Sequence, residues 1–246
     1  MIPLPISDEN PASRTPWVTY ALIAVNALAW FFELSHGVFE STFDYGAIPS
    51  FVLHGVRDGV LHLDQLTQGG AGAITLHQEV PWPLTVLTSM FMHGGWLHII
   101  GNMWFLWIFG DNVEDAMGSV KYLVFYLLCG VAAAMSQILT SPGSQVPMVG
   151  ASGAIAGVLG AYIVLYPHAR VRCLWILFII ITTVYVPAWL LLGIWFVSQF
   201  LIPGEGVAWM AHVGGFILGF LLVRLFVMRR PPPRRDGFPP LWQRVR

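Results

Sequence analysis

The chain has 246 residues, of which 56% are hydrophobic and only 10% charged, with a net charge of -1. Soluble domains carry about 25% charged residues, so the composition excludes a soluble globular domain and marks a membrane protein. Its two cysteines, Cys129 and Cys173, both sit in apolar runs. They supply neither a disulfide framework nor zinc-ligand spacing and read as small buried hydrophobes.

A spanning helix needs about 20 mostly apolar residues. The acidic SDEN near the start argues against an organelle transit peptide, and no small-residue cleavage site follows the first apolar run. Residues 1–14 read as a cytoplasmic N-terminal segment. The first span is WVTYALIAVNALAWFFEL, opened by Thr15 and Pro16 as cap and first-turn residue. A long, polar first loop follows, about 36–92, in which PSFVLHGV is expected at the membrane interface. The second span is WLHIIGNMWFLWIFG, followed by a loop, DNVEDAMGSVK. The third is YLVFYLLCGVAAAMSQIL. The turn TSPGSQVP leads to the fourth, about 149–167, which Arg170 and Arg172 end.

The uncharged run from Cys173 to Gly204 is too long for one helix and too short for two with a turn. Pro187 offers a break. The β-branched ILFIIITTVYV is expected to be interfacial or re-entrant, and PAWLLLGIWFVSQFLI to be the fifth span. The sixth runs from about Trp209 to Met228. Residues 229–246 are basic, proline-rich and read as a disordered tail. The domain of interest is thus 15–228, an all-α polytopic bundle of six transmembrane helices with a long first extracytoplasmic loop.

Six passes put both termini on one side. Arg14, Lys121, Arg170, Arg172, Arg224 and the tail residues Arg229, Arg230, Arg234, Arg235, Arg244 and Arg246 all fall there, and only Arg57 falls opposite. The positive-inside rule makes that side the cytoplasm. The expected location is a cell membrane, plasma or inner, with both termini cytoplasmic.

Polar residues inside a membrane are costly and invite a functional reading. Three places stand out. In HGGWLHIIGNMWF, His98 and Asn102 are four apart and share a helix face, with His93 just before them. In GASGAIAG, Ser152 is flanked by Gly150 and Gly153 where a helix begins. The first N–H groups of a helix are unpaired and face any developing anion. In AHVGGFILG, His212, Gly215 and Gly219 share a face. That face suits close packing on the small stripe Gly153, Gly157 and Ala161, which would bring His212 against Ser152. In the six-pass topology His98, Ser152 and His212 all lie a turn or two below the extracytoplasmic surface. Serine needs a base to become a nucleophile, and His212 is the candidate. No acidic residue is placed to orient it, since Asp111, Glu114 and Asp115 are at the far end of the second span. The arrangement is a Ser–His dyad. His98, the Asn102 amide and the Ser152 backbone N–H are the candidate oxyanion donors, and the reaction class is acyl transfer to serine followed by hydrolysis.

HGGWLHIIGN, GASGAIAG and AHVGGFILG resemble the rhomboid intramembrane serine proteases in order, spacing and topology, and GDNVEDAMGS looks like that of bacterial members. The resemblance covers about 10–228. It implies that Ser152 is the nucleophile and His212 the base, with His98, Asn102 and the Ser152 amide on the oxyanion. It also implies cleavage of transmembrane protein substrates within the lipid bilayer, at a site opening to the extracytoplasmic side. No metal, other cofactor or nucleic-acid partner is implied. The fifth span and the first loop would flank the substrate entrance. Where family members often carry an aromatic residue stacked on the catalytic histidine, four after the serine, this chain has Ala156. The first loop lacks the Trp–Arg pair of some members.

Rival readings fare less well. A catalytically inactive relative that binds membrane clients typically lacks the serine or the histidine, and both are present. A transporter or channel predicts polar residues through the full depth, whereas FLWIF and FILGFLLV are apolar. A metalloprotease would need a motif such as HExxH, which is absent.

Overall fold

The structure, a computed structural model, describes residues 4–10, 12–62, 72–177, 180–201 and 208–227. The tail 229–246, with the arginines counted toward the cytoplasmic side, lies outside the described residues. So do 63–71 of the first loop and 202–207 beyond the fifth apolar segment. The helices are α1 (Trp17–His36), α2 (Val38–Tyr45), α3 (Pro49–His54), α4 (Trp82–Thr88), α5 (Trp96–Met117), α6 (Ser119–Thr140), α7 (Ser152–Leu165), α8 (Ala188–Leu201) and α9 (Trp209–Phe226). The strands are β1 (Leu4–Asp8), β2 (Asp58–His62), β3 (Ala73–His77), β4 (Arg170–Leu177) and β5 (Ile180–Pro187).

A helix stands at each of the six apolar segments, yet only α1, α6 and α9 are long and apolar enough to cross a membrane by length and composition. Helix α5 carries Asp111, Glu114 and Asp115 in its last two turns. Helices α7 and α8 have 14 residues each, about 21 Å at 1.5 Å per residue, against a hydrocarbon core of about 30 Å.

The expectation of an all-α chain needs correction. The β-branched run after α7 forms a β-hairpin. Strands β4 and β5 pair from Arg170↔Pro187 to Leu177↔Ile180. β1 adds to the outer edge of β4, antiparallel, giving the order β1-β4-β5. β-branched residues fit a pleated ladder better than a helix, and Pro187 ends the ladder one residue before α8. The first loop is likewise structured: α2, α3 and α4 flank a β2–β3 hairpin, with Gln78 Nε2 donating to Phe43 O and Gly46 O.

Two further boundaries differ from expectation. The segment DNVEDAMGSVK is not a loop, because α5 continues to Met117 and α6 starts at Ser119. Asn112, Val113, Glu114, Ala116 and Met117 are buried, so the polar-looking stretch has a core face. Gly118, at φ 78°, alone makes the break. At the start of α1, Pro16 is the N-cap and no side chain of the segment caps it. The Glu114 carboxylate does so from α5, accepting from Val18 N–H (3.0 Å), Thr19 N–H (2.8 Å) and Ser119 Oγ (2.6 Å).

Helix α7 is the core of the bundle. Every residue from Gly153 to Tyr162 is buried, as expected for a helix apolar on all sides. Helices α5, α6 and α9 surround it, and fully buried Phe109, Phe125, Tyr122 and Tyr126 fill the space between them. Outward-facing residues such as Leu28, Leu97, Val120 and Leu221 are exposed and apolar, the surface a lipid-facing bundle presents.

Candidate active site

Ser152 is the first residue of α7. The turn before it depends on Gly150, whose φ of 123° is one that L side chains rarely adopt. Gly150 N–H donates to Ser89 O at 2.8 Å, tethering the turn to the end of α4. A Cβ at Gly150 would lie 2.6 Å from His98 Nε2 and 3.6 Å from Asn102 Nδ2. The missing side chain therefore lets two polar groups of α5 approach the backbone beside the serine. The first intrahelical bond of α7 runs from Ile155 N–H to Ala151 O, which leaves the N–H groups of 152–154 without helix partners.

Helix α9 carries His212 to the same place by backbone contact. A Cβ at Gly215 would lie 2.0 Å from Gly153 O, and one at Gly219 2.0 Å from Gly157 O. On the other flank of α7, a Cβ at Gly153 would meet Ala133, and one at Gly157 would meet Cys129, both of α6. Gly160, which the spacing argument omits, is a third close approach, to Phe216 O. With the helices this close, His212 Nε2 lies 2.8 Å from Ser152 Oγ.

His98 packs edge-on against His93, with ring centroids 5.2 Å apart. Burial, then the nearby His98, pushes the His93 imidazole down to about 4, so His93 is neutral at pH 7 and contributes packing rather than charge. Its backbone N–H is fixed by the Glu33 carboxylate at 2.9 and 3.0 Å. Gly94 N–H points at His98 Nδ1 (3.4 Å). An N–H only donates, so Nδ1 is the acceptor and Nε2 carries the hydrogen, on the Gly150 side. Asn102 Nδ2 is one of several buried side-chain polar atoms without a hydrogen-bond partner among the described residues, and the one whose residue lines the cavity, where a bound oxygen would satisfy it.

These four side chains line an open cavity of about 670 Å³. One wall comes from the first loop and the turn before α7. Ala47 and Met148 exchange backbone hydrogen bonds of 3.1 and 2.8 Å, and Ser50 N–H donates to Ser144 O at 3.1 Å. Pro49, Val146 and Met148 face the cavity there.

Three residues at the site are absent from the sequence reading. Gln199 Oε1 lies 2.8 Å from His212 Nδ1. The Trp195 ring lies 6.0 Å from the imidazole, tilted by 42°. Both belong to α8, one turn apart. Gln137 of α6 accepts from Met210 N–H at 3.1 Å and so holds the first turn of α9. The signal for Gln199 was present: it is an amide in the otherwise apolar WLLLGIWFVSQFL, where polar residues are costly. Among the described residues, no three His, Cys, Asp or Glu side chains come together to hold a metal ion.

Residues 81–229, more than half of the chain, match the family model of the Rhomboid domain. The chain is 34% identical over 114 residues to Rhomboid protease GluP of Bacillus subtilis, a match covering 46% of this chain and 22% of that protein. It is 27% identical over 151 residues to RHOMBOID-like protein 5 of Arabidopsis thaliana, covering 58% and 44%. To Rhomboid-like protein 11, chloroplastic, of the same plant, it is 36% identical over 89 residues, covering 36% and 31%. The matches thus span less than half the length of each of these relatives.

Proposed function

The chain belongs to the rhomboid family, in general intramembrane serine proteases, and on that premise we propose that it hydrolyses peptide bonds in or near transmembrane segments of membrane-protein substrates, with Ser152 as nucleophile and His212 as base. The observation that carries this reading is the 2.8 Å approach of His212 Nε2 to Ser152 Oγ at the edge of an open cavity.

As the serine oxygen attacks the scissile carbonyl, its proton passes to His212 Nε2 and the carbonyl π pair moves onto oxygen. That oxyanion is met by the Ser152 N–H, His98 Nε2–H and the unpartnered Asn102 Nδ2. A donor held in place before the reaction is worth more than one that must reorganise, which gives Gly150 its purpose. Collapse breaks the C–N bond, and the leaving amine takes the proton from His212. Water entering through the cavity then repeats the sequence on the acyl-enzyme and frees Ser152.

The short length of α7 supports a site below the membrane surface. A helix of about 21 Å with one end at one surface starts some 10 Å short of the other. The distribution of basic residues supports putting that missing depth on the extracytoplasmic side, and in this reading substrates are cut near the outer face of a cell membrane.

The test is cleavage of a tagged single-pass substrate in liposomes by wild type, Ser152→Ala and His212→Ala. Wild type cleaves and both variants lose detectable turnover. Cleavage that survives Ser152→Ala removes the proposed nucleophile, and a folded wild type that binds but never cleaves a panel of such substrates supports an inactive client-binding protein instead.

A further inference from the structure

We propose that Gln199 is a positioning residue of this site, holding His212 in the single tautomer that leaves Nε2 free to take the Ser152 proton. The inference deepens the serine-protease reading and rests on it for its catalytic consequence, though not for its geometry.

A neutral imidazole carries one N–H and one lone pair, and which nitrogen holds which is decided by its neighbours. Ser152 does not decide it, because a hydroxyl both donates and accepts. Gln199 does, provided its amide has one orientation. Gln199 Nε2 donates to Trp195 O at 3.1 Å and lies 3.4 Å from Ser198 Oγ. A carbonyl oxygen only accepts. The Ser198 hydroxyl spends its own hydrogen on the same Trp195 O at 2.6 Å, so it offers lone pairs to its neighbour. Turning the amide over would set Oε1 against two acceptors. The oxygen therefore faces His212, where it is 2.8 Å from Nδ1. An amide oxygen only accepts, so the hydrogen is on Nδ1 and the lone pair on Nε2, pointing at Ser152 Oγ.

The chain of contacts begins in the backbone of α8 and ends at the serine. It also answers what steadies the imidazole when position 156 is alanine: the Trp195 ring covers His212 on one side and Gln199, one turn further along, holds its edge. Both contacts come from α8, so the base is correctly set only while α8 is seated against α9. A neutral amide does this without placing a second charge in a low-dielectric site, where an unpaired carboxylate is costly.

Three variants and two readouts test the proposal. Gln199→Leu, which keeps the volume and removes the acceptor, lowers kcat on the order of a hundredfold, the cost of a misplaced catalytic group, and leaves KM unchanged. Gln199→Glu, which keeps an acceptor oxygen within reach of Nδ1, restores most of that loss. Ser152→Ala sets the background. Independently of activity, ¹⁵N spectra of histidine-labelled protein show His212 as the Nδ1–H tautomer in wild type and as a mixture in Gln199→Leu. Wild-type kcat in Gln199→Leu, a loss that appears in KM, or an Nε2–H tautomer in wild type overturns the proposal. If Gln199→Leu does not fold, the tautomer in wild type and the turnover of Gln199→Glu decide it. If wild type neither cleaves nor reacts with a serine-directed fluorophosphonate, the protease reading fails, and the tautomer still decides the role of Gln199.

Discussion

The two ends of α7 are built from similar residues to opposite effect. At the Tyr162 end the polar groups close on one another. Tyr162 OH donates to Asp8 Oδ2 at 2.5 Å, Asn112 Nδ2 donates to the same oxygen at 2.9 Å, and Asn10 Nδ2 donates to Asn112 Oδ1 at 2.8 Å. At the Ser152 end the groups face a cavity, and the buried Asn102 Nδ2 has no partner at all. Buried polar groups that pair contribute to structure, while one left open beside a cavity costs stability until something enters to pair with it. Polarity inside a membrane protein is therefore not itself the mark of a site; what distinguishes the candidate site here is unsatisfied polarity next to accessible space.

Substitutions at each end separate the two roles. Asn102→Ala, at the open end, is expected to slow turnover by about 10²- to 10³-fold while the unfolding temperature holds or rises, because an unpaired buried amide is removed. Unchanged turnover would take Asn102 off the oxyanion. Gly219→Val should cost about 1–3 kcal/mol through overpacking, since its Cβ would enter the Gly157 carbonyl. It should also reduce turnover by spreading His212 from Ser152, and a stable, fully active variant would contradict the backbone contact. Tyr162→Phe, at the closed end, should lose about 1 kcal/mol of stability and keep its turnover. A large loss of turnover in a folded variant would show that the closed end is not merely structural.

The mildest effect is a pH dependence at the closed end. Burial raises the Asp8 carboxyl to about 7, with the Tyr162 hydrogen bond opposing and Asp111 adding to the rise. The folded state therefore binds this proton more tightly than the unfolded state. The stabilisation is complete below about pH 4 and is lost as the pH rises through 7. Unfolding temperatures of wild type should fall across that window relative to those of Asp8→Asn, and parallel curves would refute the assignment.

The candidate site was more legible than the fold around it. Ser152, His98, Asn102 and His212 could be singled out because each is polar where lipid forbids it, and glycines at helical spacing say which faces can meet. The contact of α8 with His212 could not be read, because nothing local to Gln199 says that its amide meets an imidazole on the next helix. The strand β1 escaped notice for a related reason: its partner β4 lies more than 160 residues away, and five residues ahead of a span look like a tail. The β4–β5 hairpin was ambiguous for a local reason, since a short apolar run does not by periodicity alone distinguish strand from buried helix. The run DNVEDAMGSVK misled because its charges suggested solvent, while Glu114 is buried as a cap for another helix.

The central claim is that the hydroxyl of Ser152 is activated by His212. The most direct test treats the purified protein with a fluorophosphonate and locates the adduct by peptide mass spectrometry. A single adduct on Ser152, absent from Ser152→Ala and strongly slowed in His212→Ala, is the predicted result. An adduct on another serine, or labelling of Ser152 at the wild-type rate in His212→Ala, would contradict it.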